Sequence, residues 1–426
     1  MGTSRRTALS LTALALVIPS LAACGGSSST AAADAGPVKL TMLTGFTGPD
    51  RPAYEALVKQ FNASHPNIQV TMDAQPWDAI AQKLPQSWAT GQGPDLATPS
   101  FDPSVVFQYV KTNSVAPLDP AVGAGDAKIN ADAFPQSVKD AFTVDGKLVA
   151  VPANLATLVL YYNKAMLTKA GIANPPATQA ELAADAKKLT IGGGGGGGKP
   201  SQYGLSLADH ATIQMWPILQ WMNGGDLVDP QGCAVINQPA SVDALKQWSS
   251  LVAQDRISPV GQTGADADTL FSAKKAAMEI NGPWAAAGFR TAGVDLGIAQ
   301  VPVGSAGPTT LASTVPLMVA KSGKHVAQAQ QFLAWWTGKT AQTAFSKASG
   351  FPPVRTDLAD AVTGDAVEFA KALPSARIYL PGLPAASKID SDVYVPLIGK
   401  ITRGEDVAKA TQDAATAINQ ITGCKG

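Results

Sequence analysis

The chain has 426 residues, 46% of them apolar and only 15% charged, with 32 basic against 32 acidic side chains. That length exceeds what a single hydrophobic core organises, so two lobes are expected. The even charge balance excludes an electrostatic nucleic-acid binder, and no segment reaches the roughly 20 apolar residues that span a bilayer.

At the N-terminus Arg5-Arg6 precede an apolar run over 8–18 and then small residues, the order of an export signal. Leu21-Ala22-Ala23-Cys24 resembles the bacterial lipobox, in which the cysteine thiol receives a diacylglyceryl group and becomes the new N-terminus. On that resemblance residues 1–23 are a lipoprotein signal peptide and Cys24 is the lipidation site. An ordinary cleavage site beside an incidental cysteine is the alternative. Residues 24–37, rich in Gly, Ser and Ala, have the composition of a flexible tether. Arg5-Arg6 leaves general and twin-arginine export both open. Without that pair, 30 basic residues face 32 acidic ones. Cys233 and Cys424 remain, in a compartment that permits disulfides. They either pair, closing a loop of about 190 residues, or stand as two separate buried thiols.

Residues 38–42 alternate apolar and polar as a half-buried strand, and 44–49 are a breaker-rich loop. Asp50 caps a helix with Pro52 in its first turn, and Tyr54, Leu57, Val58 and Phe61 share one face. His65-Pro66-Asn67 ends it, Ile68, Val70 and Met72 alternate as the next strand, and a second helix covers 79–90. This βαβα order predicts a parallel sheet covered by helices. Further on, 143–150 reads as a hairpin turning at Asp145-Gly146, and 158–162 as a buried strand. Thr178 and Glu181 form a capping box. Strands are expected at 276–280, 296–301 and 315–320. Val326, Ala329, Leu333 and Trp336 make a helical stripe, as do Val407, Ala410, Ala414, Ala417 and Ile421.

Catalytic signatures are missing. Gly193 and Gly198-Lys199 fit the first part of a phosphate loop, but Pro200 stands where Ser or Thr should bind Mg²⁺ and open a helix. The seven glycines 192–198 read as a surface loop. His65, His210 and His325 lack metal-ligand partners at helical or turn spacing, and no zinc or nucleophile-elbow pattern occurs. No cofactor is expected, and the reading is of a binder and not an enzyme. A hydrolase with two converging carboxylates is the alternative, because counting acids cannot exclude it.

Four stretches resemble, in order, the extracellular solute-binding proteins of family 1, which deliver sugars and related solutes to ABC importers: GQGPDLAT (91–98), LVLYYNKAML (158–167), MEINGPWA (278–285) and ASGFPPVRTDL (348–358). The resemblance implies an α/β, two-lobed periplasmic-binding-protein-like clamp, each lobe a mainly parallel sheet with flanking helices. It puts 38–150 plus 314–350 in the first lobe and 151–313 plus 351–426 in the second. Both Cys233 and Cys424 then fall in the second lobe, which favours their pairing. The implied protein is a lipid-anchored monomer on the outer face of the cell membrane, partnered by a sugar, oligosaccharide or amino sugar and by permease subunits.

The resemblance also nominates a ligand site. Asp102 matches a carboxylate that accepts sugar hydroxyls, Trp284 an aromatic that stacks on a pyranose face, and Trp216 another tryptophan near the sugar. Trp77, Asp392 and Tyr394 fall where cleft residues are expected, with Phe46, Asn223, Gly224 and Asn281 as cleft-loop candidates. Flat aromatics beside Asp and Asn suit a sugar, with its apolar faces and hydroxyl rim. Trp88, Trp248, Trp335 and Trp336 lie at helical spacing and read as core. The similar glycerol-phosphate branch, a second alternative, carries Tyr where this chain has Phe351, and an Arg near Val393. Without that guanidinium a phosphorylated ligand is disfavoured, and Asp392 suits a hydroxyl-rich or cationic solute.

Overall fold

The computed structural model describes residues 36–125, 127–192, 198–213 and 215–424. The proposed signal peptide, Cys24, nearly all of the tether and most of the glycine run 192–198 lie outside them. Strand β1 (Val38–Thr44), helix α1 (Arg51–Ser64), β2 (Ile68–Ala74), α2 (Trp77–Ala89) and β3 (Leu96–Ala97) follow in the expected βαβα order. β1 lies in parallel between β2 and β3. Helix α1 buries Tyr54, Leu57, Val58 and Phe61, the face set by their spacing of three and four residues. The hairpin at 143–148 forms as its Asp-Gly turn predicts.

Next come β4 (Val151–Pro152), β5 (Ala156–Thr157), β6 (Val159–Asn163), α3 (Gln179–Leu189), β7 (Tyr203–Ser206), α4 (Trp216–Trp221), α5 (Gly264–Ser272), β8 (Ala276–Asn281), α6 (Pro283–Thr291) and β9 (Leu296–Ala299). The chain closes with β10 (Thr310–Ser313), β11 (Pro316–Val319), α7 (Val326–Trp336), β12 (Ala376–Ile378) and α8 (Val407–Thr422), among shorter helical turns. The capping box of α3 is complete in both directions between Thr178 and Glu181.

The principal sheets run β2-β1-β3-β11-β4 and β9-β6-β8-β7. A third, β12-β10-β5, carries the chain between them. Both principal sheets combine parallel and antiparallel pairs: β11 opposes β3, and β6 opposes both β8 and β9. These sheets are therefore more mixed than the βαβα pattern alone predicts. β6 follows directly on the short strands at the crossing, with no intervening helix to reverse its direction.

Two large cores result, giving a two-lobed α/β clamp. One draws on residues 40–156 and 312–354 with Ile378, the other on 158–311 and 380–418. A smaller cluster surrounds Tyr161, Phe271 and Phe289. Trp88, Trp248 and Trp336 are buried, as their helical spacing predicts. Among the described residues no helix is long and apolar enough to cross a membrane.

Cys233 and Cys424 form a disulfide across a sequence separation of 191, with Cα atoms 5.5 Å apart. Beside it, Ala234 N donates to Asn419 Oδ1 at 2.8 Å, so the end of α8 is held to the 225–237 loop twice over. Closing so long a loop restricts the unfolded chain by up to about 5 kcal/mol in the entropic model, and measured bridges deliver less. The double variant Cys233→Ser/Cys424→Ser should lose about 2–4 kcal/mol of stability in denaturant titration. An unchanged midpoint would show that the bridge adds nothing to the fold.

Candidate functional site

A cavity of about 300 Å³ opens where the two cores meet. Its walls come from strand ends: β1 runs into the loop 45–50, and β8 runs into Gly282-Pro283-Trp284. The carboxyl ends of strands in α/β sheets habitually carry ligand-binding loops. Two glycines make the aromatic walls possible. A Cβ on Gly45 would lie 2.0 Å from the Trp77 indole, and one on Gly282 would lie 2.1 Å from that of Trp284. Each indole therefore lies flat against bare backbone.

Phe46 stacks on Tyr54 with centroids 3.8 Å apart, and Trp77 stands edge-on to Phe46 and Phe101 at 5.7 and 5.9 Å. Across the cavity Trp284 packs against all three apolar clusters and lies 6.5 Å from Phe351. The Tyr54 hydroxyl accepts a 2.6 Å hydrogen bond from Asn154 Nδ2, and Tyr161 donates to the carbonyl of Gly282 at 2.8 Å. The aromatic walls are thus held from behind.

The polar groups of the cavity are Asp50, Asn154, Asp268, Ser313 and the Thr47 and Thr212 residues. Asp50 precedes α1 but makes no side-chain cap bond, so the expected capping role is corrected: its carboxyl lines the cavity. Burial pushes it up to about 6, against a small opposing pull from its own backbone N–H. Asp268 is also raised by burial, moderated by hydrogen bonds from Glu279 and Asn281. Asn281 Nδ2 reaches Asp268 Oδ1 at 2.6 Å and Glu279 Oε1 at 2.8 Å. Glu279 is wholly buried, and burial first, then the Asp268 charge, drives its carboxyl well above the usual range. No donor reaches Glu279 Oε2 among the described residues. Burial and the neighbouring Asp268 carboxyl together favour the neutral form of Glu279.

A smaller chamber of about 60 Å³ shares Phe101, Thr212, Ile213 and Ser313 with the first and adds Asp102, Tyr379 and Asp390. The Asp102 carboxylate accepts from Ser104 N at 2.8 Å, from Ser104 Oγ at 2.9 Å and from the hydroxyl of Ser387, which belongs to the opposite core's wall. Tyr379 donates to Asp390 Oδ1 at 3.0 Å.

Of the residues nominated from sequence, Phe46, Trp77 and Trp284 share the main cavity, and Asp102 lines its smaller neighbour. The others lie elsewhere. Trp216 is 1% exposed within the second core, because every residue of α4 is buried. Tyr394 is likewise in that core, donating to Gln220 Oε1 at 2.7 Å. Asn223 turns its amide back to the Leu219 carbonyl at 3.3 Å, and neither it nor Gly224 lines either chamber. Asn281 acts one layer behind the surface through Asp268. Asp392 is exposed, its carboxyl held low by hydrogen bonds from Lys388 and Ser391. Its neighbour Asp390 faces the chamber instead. Phe101, Asn154 and Asp268 went unseen in the sequence. Phe101 adjoins Asp102 and could have been included with it, whereas Asp268 sits in an ordinary helical stretch.

Residues 56–374 match the sequence profile of the bacterial extracellular solute-binding proteins. The chain belongs to that family. A binding protein of Brucella abortus is 27% identical over 404 residues, 91% of this chain and 94% of its own. Among solved structures, the GacH receptor of Streptomyces glaucescens, determined unliganded and with acarbose, superposes with a TM-score of 0.79 at 24% identity, covering 92% of this chain and 100% of its own. The ABC substrate-binding protein Lmo0181 of Listeria monocytogenes, in complex with cycloalternan, gives 0.77 at 23% identity, covering 91% and 100%. These likenesses establish the fold of a solute-binding protein over about nine-tenths of the chain.

The raised Asp50 carboxyl has a consequence for this solute-binding protein without ligand. Its folded form binds a proton more tightly than the unfolded chain, so its contribution is most favourable below pH 4. It is lost as pH rises from about 4 through 6. Asp50→Asn removes that loss. The variant's stability relative to the parent should climb with pH from 4 to about 6.5, reaching about 2–3 kcal/mol, and then level off. A difference independent of pH in urea titrations would show that Asp50 titrates normally.

Proposed function

We propose that this protein is the receptor of an ABC importer, capturing a sugar or oligosaccharide in the main cavity and delivering it to permease subunits. One observation carries the reading: in a member of the solute-binding family, five aromatic rings (Phe46, Trp77, Phe101, Trp284 and Phe351) and several hydrogen-bonding side chains line one cavity. A pyranose presents C–H faces to rings and hydroxyls to carboxyl and amide groups, so this mixture matches its chemistry. The structural neighbours crystallised with acarbose and cycloalternan add support by analogy of fold. In this reading the lobes are 38–150 plus 314–350 and 151–313 plus 351–426. They close on the solute as a hinged pair, and a lipid at Cys24 holds the monomer to the outer face of the membrane.

Calorimetry with a panel of neutral oligosaccharides tests the binding. A ligand that binds only the native state raises thermal stability without being consumed, so a shift of several degrees with no product is expected. Sustained product release would replace the receptor with a hydrolase. Trp284→Ala removes a large apolar face and should weaken binding by about 2–4 kcal/mol, as truncation of aromatic anchors does. Because Trp284 also packs against all three apolar clusters, the variant's thermal midpoint without ligand should fall, but it should stay folded. Unfolding of that variant instead would make Trp284 a core residue. Cys24→Ser should free the protein from membranes in fractionation, and persistent attachment would refute the lipid anchor.

A further inference from the structure

The charges around the two chambers all have one sign. Asp50 and Asp268 line the main cavity, and Asp102 and Asp390 line the smaller one. No Lys, Arg or His lines either among the described residues. Nor is any of Asp50, Asp102 and Asp268 in an ion pair among those residues. Buried carboxylates are normally matched by a cation, because an unmatched charge in a low-dielectric site is costly. Glu279 accentuates the pattern. Behind Asp268 stands a third acid with no cation: the Asn281 amide bridges Asp268 and the buried Glu279, at 2.6 and 2.8 Å. Asp50 stands at the end of the same loop that presents Phe46, so carboxylate and ring face share one wall. Ring faces also attract cations.

We infer that the solute carries a protonated amine on its sugar framework, with Asp50 and Asp268 as its counter-charges and the flanking rings as its walls. The inference rests on the receptor reading above and narrows it to amino sugars and their oligomers. Asp392, the acid to which the sequence pointed for a cationic solute, is already paired with Lys388 outside both chambers. A phosphorylated or carboxylated sugar would meet repulsion from every charged group on the walls.

The test is titration calorimetry of the full chain at pH 7 with two matched pairs, so that linkage does not decide the outcome. One pair is the glucosamine trimer of chitosan against its N-acetylated form; the other is trehalosamine against trehalose, with maltotriose as a neutral reference. The amine should bind at least tenfold more tightly than its neutral counterpart in one pair or both. Asp50→Asn and Asp268→Asn should each erase most of that preference, weakening amine binding at least fivefold more than maltotriose binding. Asp50→Glu, which keeps the charge, should retain the preference and guards against a simple packing effect. If maltotriose or another neutral sugar binds and the amine brings no gain in either pair, the inference is overturned while the sugar-receptor reading stands. A preference that survives both Asn variants in folded protein would also overturn it. If none of the five solutes binds, both readings fail together.

Discussion

The architecture turns on one side chain, Asn154. It lies where the chain passes from the first core to the second, and it lines the main cavity. Its amide donates to Tyr54 of α1, its Oδ1 accepts from Val315 N at 3.3 Å, and its carbonyl accepts from Thr314 Oγ1 at 2.8 Å. The outgoing and returning crossings are therefore tied to each other and to the helix behind the aromatic wall. A buried amide with these partners satisfied is rigid. The cavity floor is consequently a fixed reference against which the loops of either lobe are positioned.

Where local chemistry decides conformation, the sequence was readable. The α1 face, the Asp-Gly hairpin and the α3 capping box each follow from a few adjacent residues. Phe46, Trp77 and Trp284 are legible only through the family resemblance that nominates them, and each stands at the end of a strand or the start of a helix, beside a loop. Trp216 and Tyr394 show the limit. Aromatic residues near an expected cleft look alike in sequence whether they face the ligand or the layer beneath it. Helix α4 has no polar face, so nothing in its pattern distinguishes a wall from a core.

Asp50 and Asp268 were missed for a different reason. One reads locally as a helix cap, the other as a surface acid in a helix. Their significance lies in what surrounds them after folding, including Glu279, which the sequence places in an otherwise apolar strand. A carboxyl in the middle of β8 is costly to bury. In the folded chain the Asn281 amide, two residues along the strand, donates to it and also to Asp268 of the neighbouring helix α5.

The contact between Asp102 and Ser387 bears on how the smaller chamber treats a solute. The carboxylate already accepts three hydrogen bonds from serine residues. A carboxylate offers about four acceptor positions, so the two serines take up most of its capacity before any ligand arrives. The two chambers thus differ in kind. In the proposed receptor, a ligand hydroxyl entering the smaller one would share a carboxylate already engaged by serines, whereas Asp50 in the larger one carries no side-chain cap bond.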